Sequence, residues 1–283
     1  MISGKGITYI AVNINHLQII AHRTSNFNII NNCPEKQGNK FFNCPICVYF
    51  ARPNYFRKKT RKMVQISQST LDFLSDLKYN NEKDWFSSNR KRYEAARAEY
   101  DSFLQAVIGR ITEMDPILKG LEAKSCIYRI NRDIRFSRDK TIYKTHLGAI
   151  IVRGGRKNAD RFAGYYIHLE PGNNSMIAGG AYMPPMPWLK AIRENIEEKG
   201  EALLKILDNK EFRTIFGEIE GEKLKGIPKG FSKENEYIEL LRMKSYLAST
   251  IVSDKDVLKA DFFDYTIRAC KVIKPLIDFL NDY

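Results

Sequence analysis

The chain has 283 residues, 43% hydrophobic and 28% charged, with a net charge of +13. That composition supports a buried core and excludes global disorder. No apolar run approaches the roughly eighteen residues of a membrane span, and the N-terminus lacks the layout of a secretory leader, so the expectation is a protein of the cytoplasm with no membrane partner.

The charge is unevenly spread. Residues 1–62 carry ten Lys or Arg against one Asp or Glu, whereas 63–283 carry 36 against 32 and net only +4. A domain that close to balance is a poor phosphate-tracking surface, so nucleic acid ranks low among partners.

Residues 1–62 read as a poorly organised basic extension. "ITYIAVNINHLQII" suits a strand or two, "NFNIINNC" is Asn-rich and aperiodic, and "RPNYFRKKTRK" is a basic run. Organised patterning begins after Met63, which reads as a start site, the upstream text being an extension or the product of a start placed too early. Cys44 and Cys47 have zinc-knuckle spacing, with Cys33 and His22 as further ligands, but a second short-spaced pair is missing and no metal is assigned. Cys126 and Cys270 lie in apolar text and read as buried thiols.

From Ser67 to Asn80 the spacing of Leu71, Leu74 and Leu77 predicts a helix. A second is predicted over Glu82–Asp115, where Ala96, Tyr100, Phe103, Val107 and Ile111 recur at three- and four-residue steps and Pro116 ends the pattern. Trp85 and Phe86 are expected to anchor it. The period then changes. Strands are predicted at 123–130, 146–153, 163–171 and 174–183, the last two joined by "PGNN" as an antiparallel hairpin. Pro184, Pro185 and Pro187 stiffen the entry to a helix from Trp188 to Glu198, with Tyr182, Met183 and Trp188 expected as an apolar wall. A short helix at 200–208, a loop, a short helix at 235–241, a strand in "SYLASTIV" and a long helix over 254–280 complete the chain. Helices, then strands, then helices point to an α+β fold, a single domain over 63–283 with a mainly antiparallel sheet packed against N- and C-terminal helices.

"RINRDIRFSRDKTIYKTHLG" (129–148) holds six Lys or Arg with two Asp, one Tyr and one His. Its loop of about 14 residues is long for a hairpin and needs internal ties or a ligand. Asp133 and Asp139 can tie it through Arg132 and Lys140, and Phe136 and Tyr143 can pin it by burying their rings. The remaining cations suit an anion, so Arg129, Arg132, Arg135, Lys140 and Lys144 are candidate anion ligands. In "YYIHLEPG", His168 and Glu170 share a strand face, and His146 opens the preceding strand. These three are the candidate catalytic residues, with a His moving a proton and Glu170 orienting it.

The spacing of Arg129, Arg132-Asp133, Arg135-Phe136, Asp139-Lys140 and Tyr143 fits R-x-x-R-D-x-R-F-x-x-[DN]-K-x-x-Y, and in this the chain resembles the family catalogued as the domain of unknown function 2461. "YKTHLGAII", "GYYIHLEPGNNSMIAGGAYMP" and "PKGF" extend the likeness from about residue 67 to the C-terminus. It implies a single domain of about 220 residues with the Arg129–Tyr143 stretch as its hallmark. It transfers no catalytic role and no cofactor. After "PKGF" the family pattern leads one to expect a His-Pro-like segment, where this chain has "SKENEYIELL". Three functional readings are open: an enzyme or ligand-binding domain for a small anionic substrate, phosphorylated ones included; a structural or interaction module in which the Arg/Asp motif is a fold staple; and a nuclease-like protein associated with nucleic acid.

Overall fold

The computed structural model describes the backbone of residues 11–14 and 17–20, and residues 64–135 and 137–283. Contacts divide the chain into two units, 1–59 and 60–283. In the first, strands β1 (Ala11–Ile14) and β2 (Leu17–Ile20) pair antiparallel, Ala11 opposite Ile20. The Cys33, Cys44, Cys47 and His22 zinc reading, the Met63 start and Phe136 lie outside the described residues.

The second unit opens with α1 (Gln68–Tyr79), α2 (Lys83–Ser88) and α3 (Arg90–Ile111). The helix expected over 82–115 is thus two, parted at Asn89, whose φ/ψ of −101°/15° is not helical. Phe73, Trp85, Phe86 and Tyr93 cluster at this corner, and Phe86 is buried as the anchor expected of it. Tyr100, Phe103, Val107 and Ile111 form the buried stripe of α3.

The segment 123–130 departs from the expected strand. Residues Ala123–Cys126 form one helical turn, α4, and the residues after it make only single bridges, Ile127 to Ala149 and Asn131 to Tyr143. "AKSC" lacks the apolar alternation of a strand. The Gln105 side chain caps the turn by accepting from the Ala123 N–H, and the Ser125 hydroxyl donates to the Glu122 carbonyl.

The sheet runs in the order β3 (Leu147–Ile151), β4 (Gly164–Leu169), β5 (Ser175–Ala181), β6 (Tyr246–Val252), antiparallel throughout. The β4–β5 hairpin turns at Gly172 and Asn173, both with positive φ (85° and 61°), a conformation that glycine and asparagine adopt most readily. The Asp254 carboxylate accepts from both of their N–H groups.

Between β5 and β6 lie α5 (Met186–Leu207), α6 (Lys210–Phe216) and α7 (Ile238–Leu241). The two helices expected over 188–198 and 200–208 are both present within α5, parted at Lys199, whose φ/ψ of −125°/25° is not helical. The α6 helix, capped by the Asn209 side chain, buries Phe212 and Phe216. Trp188 is buried and donates its indole N–H to the Leu280 carbonyl, whereas Tyr182 and Met183 are exposed, so the apolar wall expected of the three is not formed. The C-terminal helix is broken into α8 (Asp254–Val257) and α9 (Phe262–Leu280).

Strand alternation divides the sheet into two faces. Leu147, Ala149, Ile151, Tyr165, Ile167, Leu169 and Ile177 are buried with the stripes of α3 and α9. Two hydrogen bonds tie this layer: the Tyr100 hydroxyl donates to the Ile167 carbonyl at 2.7 Å, and the Tyr165 hydroxyl pairs with Asp115 at 3.0 Å. Cys126 and Cys270 are buried thiols, as expected. The other face carries Tyr166, His168, Met176 and Ser249, all half-buried. The candidate site is built on that second face.

Candidate functional site

The strand register brings the site together. Gly148 lies opposite His168 and Ile150 opposite Tyr166, so His146, two residues before Gly148, falls on the same face as Tyr166, His168 and Glu170. The His146 and His168 rings meet with centroids 4.3 Å apart. His168 is gripped from both sides: its Nδ1 is 2.9 Å from the Tyr166 hydroxyl and its Nε2 is 2.8 Å from Glu170 Oε2. The Thr145 hydroxyl donates to the other Glu170 oxygen at 3.3 Å. The His168 and Glu170 side chains are 12% and 24% exposed, sheltered yet reachable.

Gly148 makes this arrangement sterically feasible. A Cβ there would stand 2.7 Å from the Tyr166 hydroxyl, so only glycine leaves the ring its place beside His168. Burial, reinforced by Tyr128 and Glu170, pushes the Tyr166 hydroxyl up to about 12, which keeps it a proton donor. Burial, together with the neighbouring His168, Lys144 and Arg132 and against the pull of Glu170, holds His146 down at about 4. Its imidazole is therefore neutral at pH 7, with a lone pair to offer.

The hallmark stretch leaves the sheet beside these residues. Its neck is a short antiparallel ladder, the Arg132 N–H donating to the Ile142 carbonyl and the Lys144 N–H to the Ile130 carbonyl. Tyr143 pins it, its buried ring stacked on Phe86 at 4.0 Å between centroids. Within the loop, Arg132 pairs with Asp139 and with the Thr141 hydroxyl. Arg135 takes Asp133 in a two-pronged pair, Nε–Oδ1 2.9 Å and Nη2–Oδ2 2.6 Å. Lys140 donates to the Ile134 carbonyl at 3.1 Å. The carboxylates thus take partners other than their sequence neighbours, Asp139 reaching back to Arg132 across the loop. Asp139 is lowered to about 2 by Arg132 first and then by the Thr141 N–H and hydroxyl.

Lys144 is different. It is half-buried, its ammonium 5.2 Å from the centre of the Tyr128 ring, and no carboxylate pairs with it among the described residues. Burial first, and then Arg129, Arg156 and Arg132, lower its pKa. Arg129 is exposed and makes no ion pair among the described residues. Arg156 donates to the Ile127 carbonyl. The expected anion ligands therefore separate: Arg132, Arg135 and Lys140 are engaged inside the loop, while Lys144 feels the positive charge of Arg129 and Arg156, and Arg129 also acts on Asp133.

Sequence reasoning missed Tyr128, Thr145, Arg156 and Tyr166. Tyr166 had a readable signal, since it stands two residues before His168 on one strand. Arg156 had none, because the turn at Gly154-Gly155 alone carries it back toward Tyr128. His146, His168 and Glu170 also present two nitrogens and a carboxylate oxygen within 4.8 Å of one another, a set able to hold a metal ion. Two surface depressions, one lined by Gln105, Thr112 and Glu122 and one by Asp115, Phe162 and Asn281, lie away from this cluster.

No helix among the described residues is long and apolar enough to cross a membrane. No curated protein and no solved structure matches the chain. The family described as conserved hypothetical protein (DUF2461) matches residues 69–279, which spans the sheet, its flanking helices and the whole hallmark stretch, and the chain belongs to that family.

Proposed function

We propose that the sheet face of Tyr166 and His168 binds a small anionic substrate, a phosphorylated one fitting best, and presents it to the His146–His168–Glu170 cluster for reaction. The observation that carries this reading is Lys144: a half-buried ammonium with no carboxylate partner among the described residues, set among Arg129, Arg132 and Arg156. Crowding like charges is unfavourable, and burial adds to it; an incoming anion relieves both. At the other end, Tyr166, His168 and Glu170 form a hydrogen-bonded row through which a proton can be passed, the hydroxyl on one imidazole nitrogen and the carboxylate on the other.

The staple reading keeps a share of the motif. The ion pair of Arg132 with Asp139, and the more exposed one of Arg135 with Asp133, support that part of the reading. Staple and site are then successive parts of one stretch.

Thermal melts with and without inorganic phosphate, at matched ionic strength, test the proposal. At about ten times its dissociation constant, phosphate should raise the Tm of the parent by roughly 3–6 °C. Lys144→Gln should abolish that rise while leaving the ligand-free Tm unchanged or higher. A ligand-free loss of several degrees in Lys144→Gln, with no phosphate effect in either protein, would refute it.

A further inference from the structure

We infer that His146, His168 and Glu170 form a binding site for a divalent first-row transition-metal ion on the sheet face beside Lys144. This deepens the anionic-substrate reading, the ion replacing the His168–Glu170 hydrogen bond of the proton row, and its direct test does not depend on that reading.

The argument is geometric. Metal–ligand bonds to imidazole nitrogen and carboxylate oxygen are about 2.0–2.2 Å, which sets neighbouring donors about 3 Å apart. His168 Nε2 and Glu170 Oε2 are already at 2.8 Å, and one nitrogen of His146, one of His168 and a carboxylate oxygen of Glu170 all lie within 4.8 Å of one another. Two His and one carboxylate from adjacent strands occupy one side of an ion and leave the other side open, an arrangement suited to binding and polarising a substrate. Strand pairing supplies the rigidity: His146 extends β3, and His168 and Glu170 lie on and just beyond β4.

Tyr166 then has a defined task. When Nε2 of His168 turns its lone pair to an ion, the one proton of the neutral imidazole must sit on Nδ1. The Tyr166 hydroxyl oxygen, 2.9 Å away, is placed to accept a hydrogen bond from that N–H. A partner on the far nitrogen of a ligating His orients the ring, and its loss typically weakens metal binding roughly 10–100-fold. Gly148 preserves the space that hydroxyl occupies. Two nitrogens and one oxygen favour Zn2+, Fe2+ or Co2+ over Mg2+, which prefers an all-oxygen shell. The nearby cations oppose a bare ion and favour one that carries an anion, so ion and anionic substrate should bind cooperatively.

The test is a Co2+ titration of the full chain after chelator treatment, followed by calorimetry and visible absorption, in the parent and with Cys33, Cys44 and Cys47 all changed to Ser. Both should take up about one ion at the same site, with weak visible bands and no intense thiolate band from that ion. Millimolar Mg2+ should not compete. Glu170→Gln, which keeps a hydrogen-bonding partner for His168, and His146→Ala should each weaken uptake by more than the roughly 100-fold upper range of an outer-partner loss, and Tyr166→Phe by about tenfold. An unchanged metal-free Tm in Glu170→Gln shows that folding is not what was lost. Absence of stoichiometric uptake in the triple-Ser chain, or uptake indifferent to Glu170→Gln and His146→Ala, overturns the site. Phosphate should tighten Co2+ binding in the parent and not in Lys144→Gln. Ion uptake without that coupling leaves the metal site standing and counts against the anion reading; phosphate stabilisation without ion uptake does the reverse.

Discussion

The side chain of Asn81 closes on both backbone groups of Tyr143: its Oδ1 accepts from the Tyr143 N–H at 2.8 Å and its Nδ2 donates to the Tyr143 carbonyl at 3.0 Å. A residue in the turn before α2 thereby completes, by side chain, a pairing that the backbone of a neighbouring strand would ordinarily supply. It joins the helical corner to the neck of the hallmark loop, where the Tyr143 ring stacks on Phe86.

Asn81→Ala should therefore lower stability by about 2 kcal/mol, since two hydrogen bonds are lost and two part-buried backbone groups are left to water. In a domain of this size that is a Tm loss of roughly 4–8 °C by calorimetry. Asn81→Asp keeps the acceptor and loses the donor, so its loss should be intermediate. An Asn81→Ala protein that melts with the parent would show that water replaces the amide without penalty.

The Gly148–Tyr166 contact predicts a compensating pair. Gly148→Ala sets a methyl 2.7 Å from the Tyr166 hydroxyl but 3.4 Å from the nearest ring carbon. The single change should destabilise by about 1–3 kcal/mol through overpacking. Adding Tyr166→Phe removes the one atom in conflict, so the double variant should be more stable than Gly148→Ala alone. Denaturant unfolding of the two singles and the double gives the coupling. Strictly additive losses would mean that the clash is not where the geometry puts it.

Arg132 and Arg135 should differ, although each is paired with an Asp. The Arg135 and Asp133 side chains are 76% and 44% exposed, and Arg135→Gln should move Tm by no more than about 2 °C. Arg132 is more sheltered and also binds Thr141, so Arg132→Ala should be the more damaging. The difference should depend on acid. Asp139 is held at about 2 in the folded chain, below the carboxylate range of an unfolded one. A lowered folded pKa gives stability that is present above the unfolded value, about 4, and lost as pH falls toward about 2. The Tm gap between parent and Arg132→Ala should accordingly shrink from pH 5 to pH 2. A gap constant over that range would show that the ion pair does not contribute.

The elements whose residues repeat with a clear period were determined by the sequence itself. The stripes of α1, α3 and α9, the β4–β5 hairpin and the antiparallel α+β plan arise from apolar spacing and turn residues, because those are properties of neighbours in the chain. Two short elements escaped for the same reason: α4 and α6 span four and seven residues, too few for a period to declare itself. In α6, Phe212 and Phe216 offered only a single four-residue step.

The site divides along the same line. His168 and Glu170 were legible as partners because two residues on a strand share a face, and the motif spacing marked Arg129–Tyr143 as one unit. The tertiary structure alone decided the rest. Register placed His146 against His168, the loop let Asp139 choose Arg132 over its neighbour Lys140, and a turn at Gly155 returned Arg156 to Tyr128. Those outcomes depend on which distant segments the fold holds together, and charge pairing is settled by distance and exposure in space, which residue order does not record.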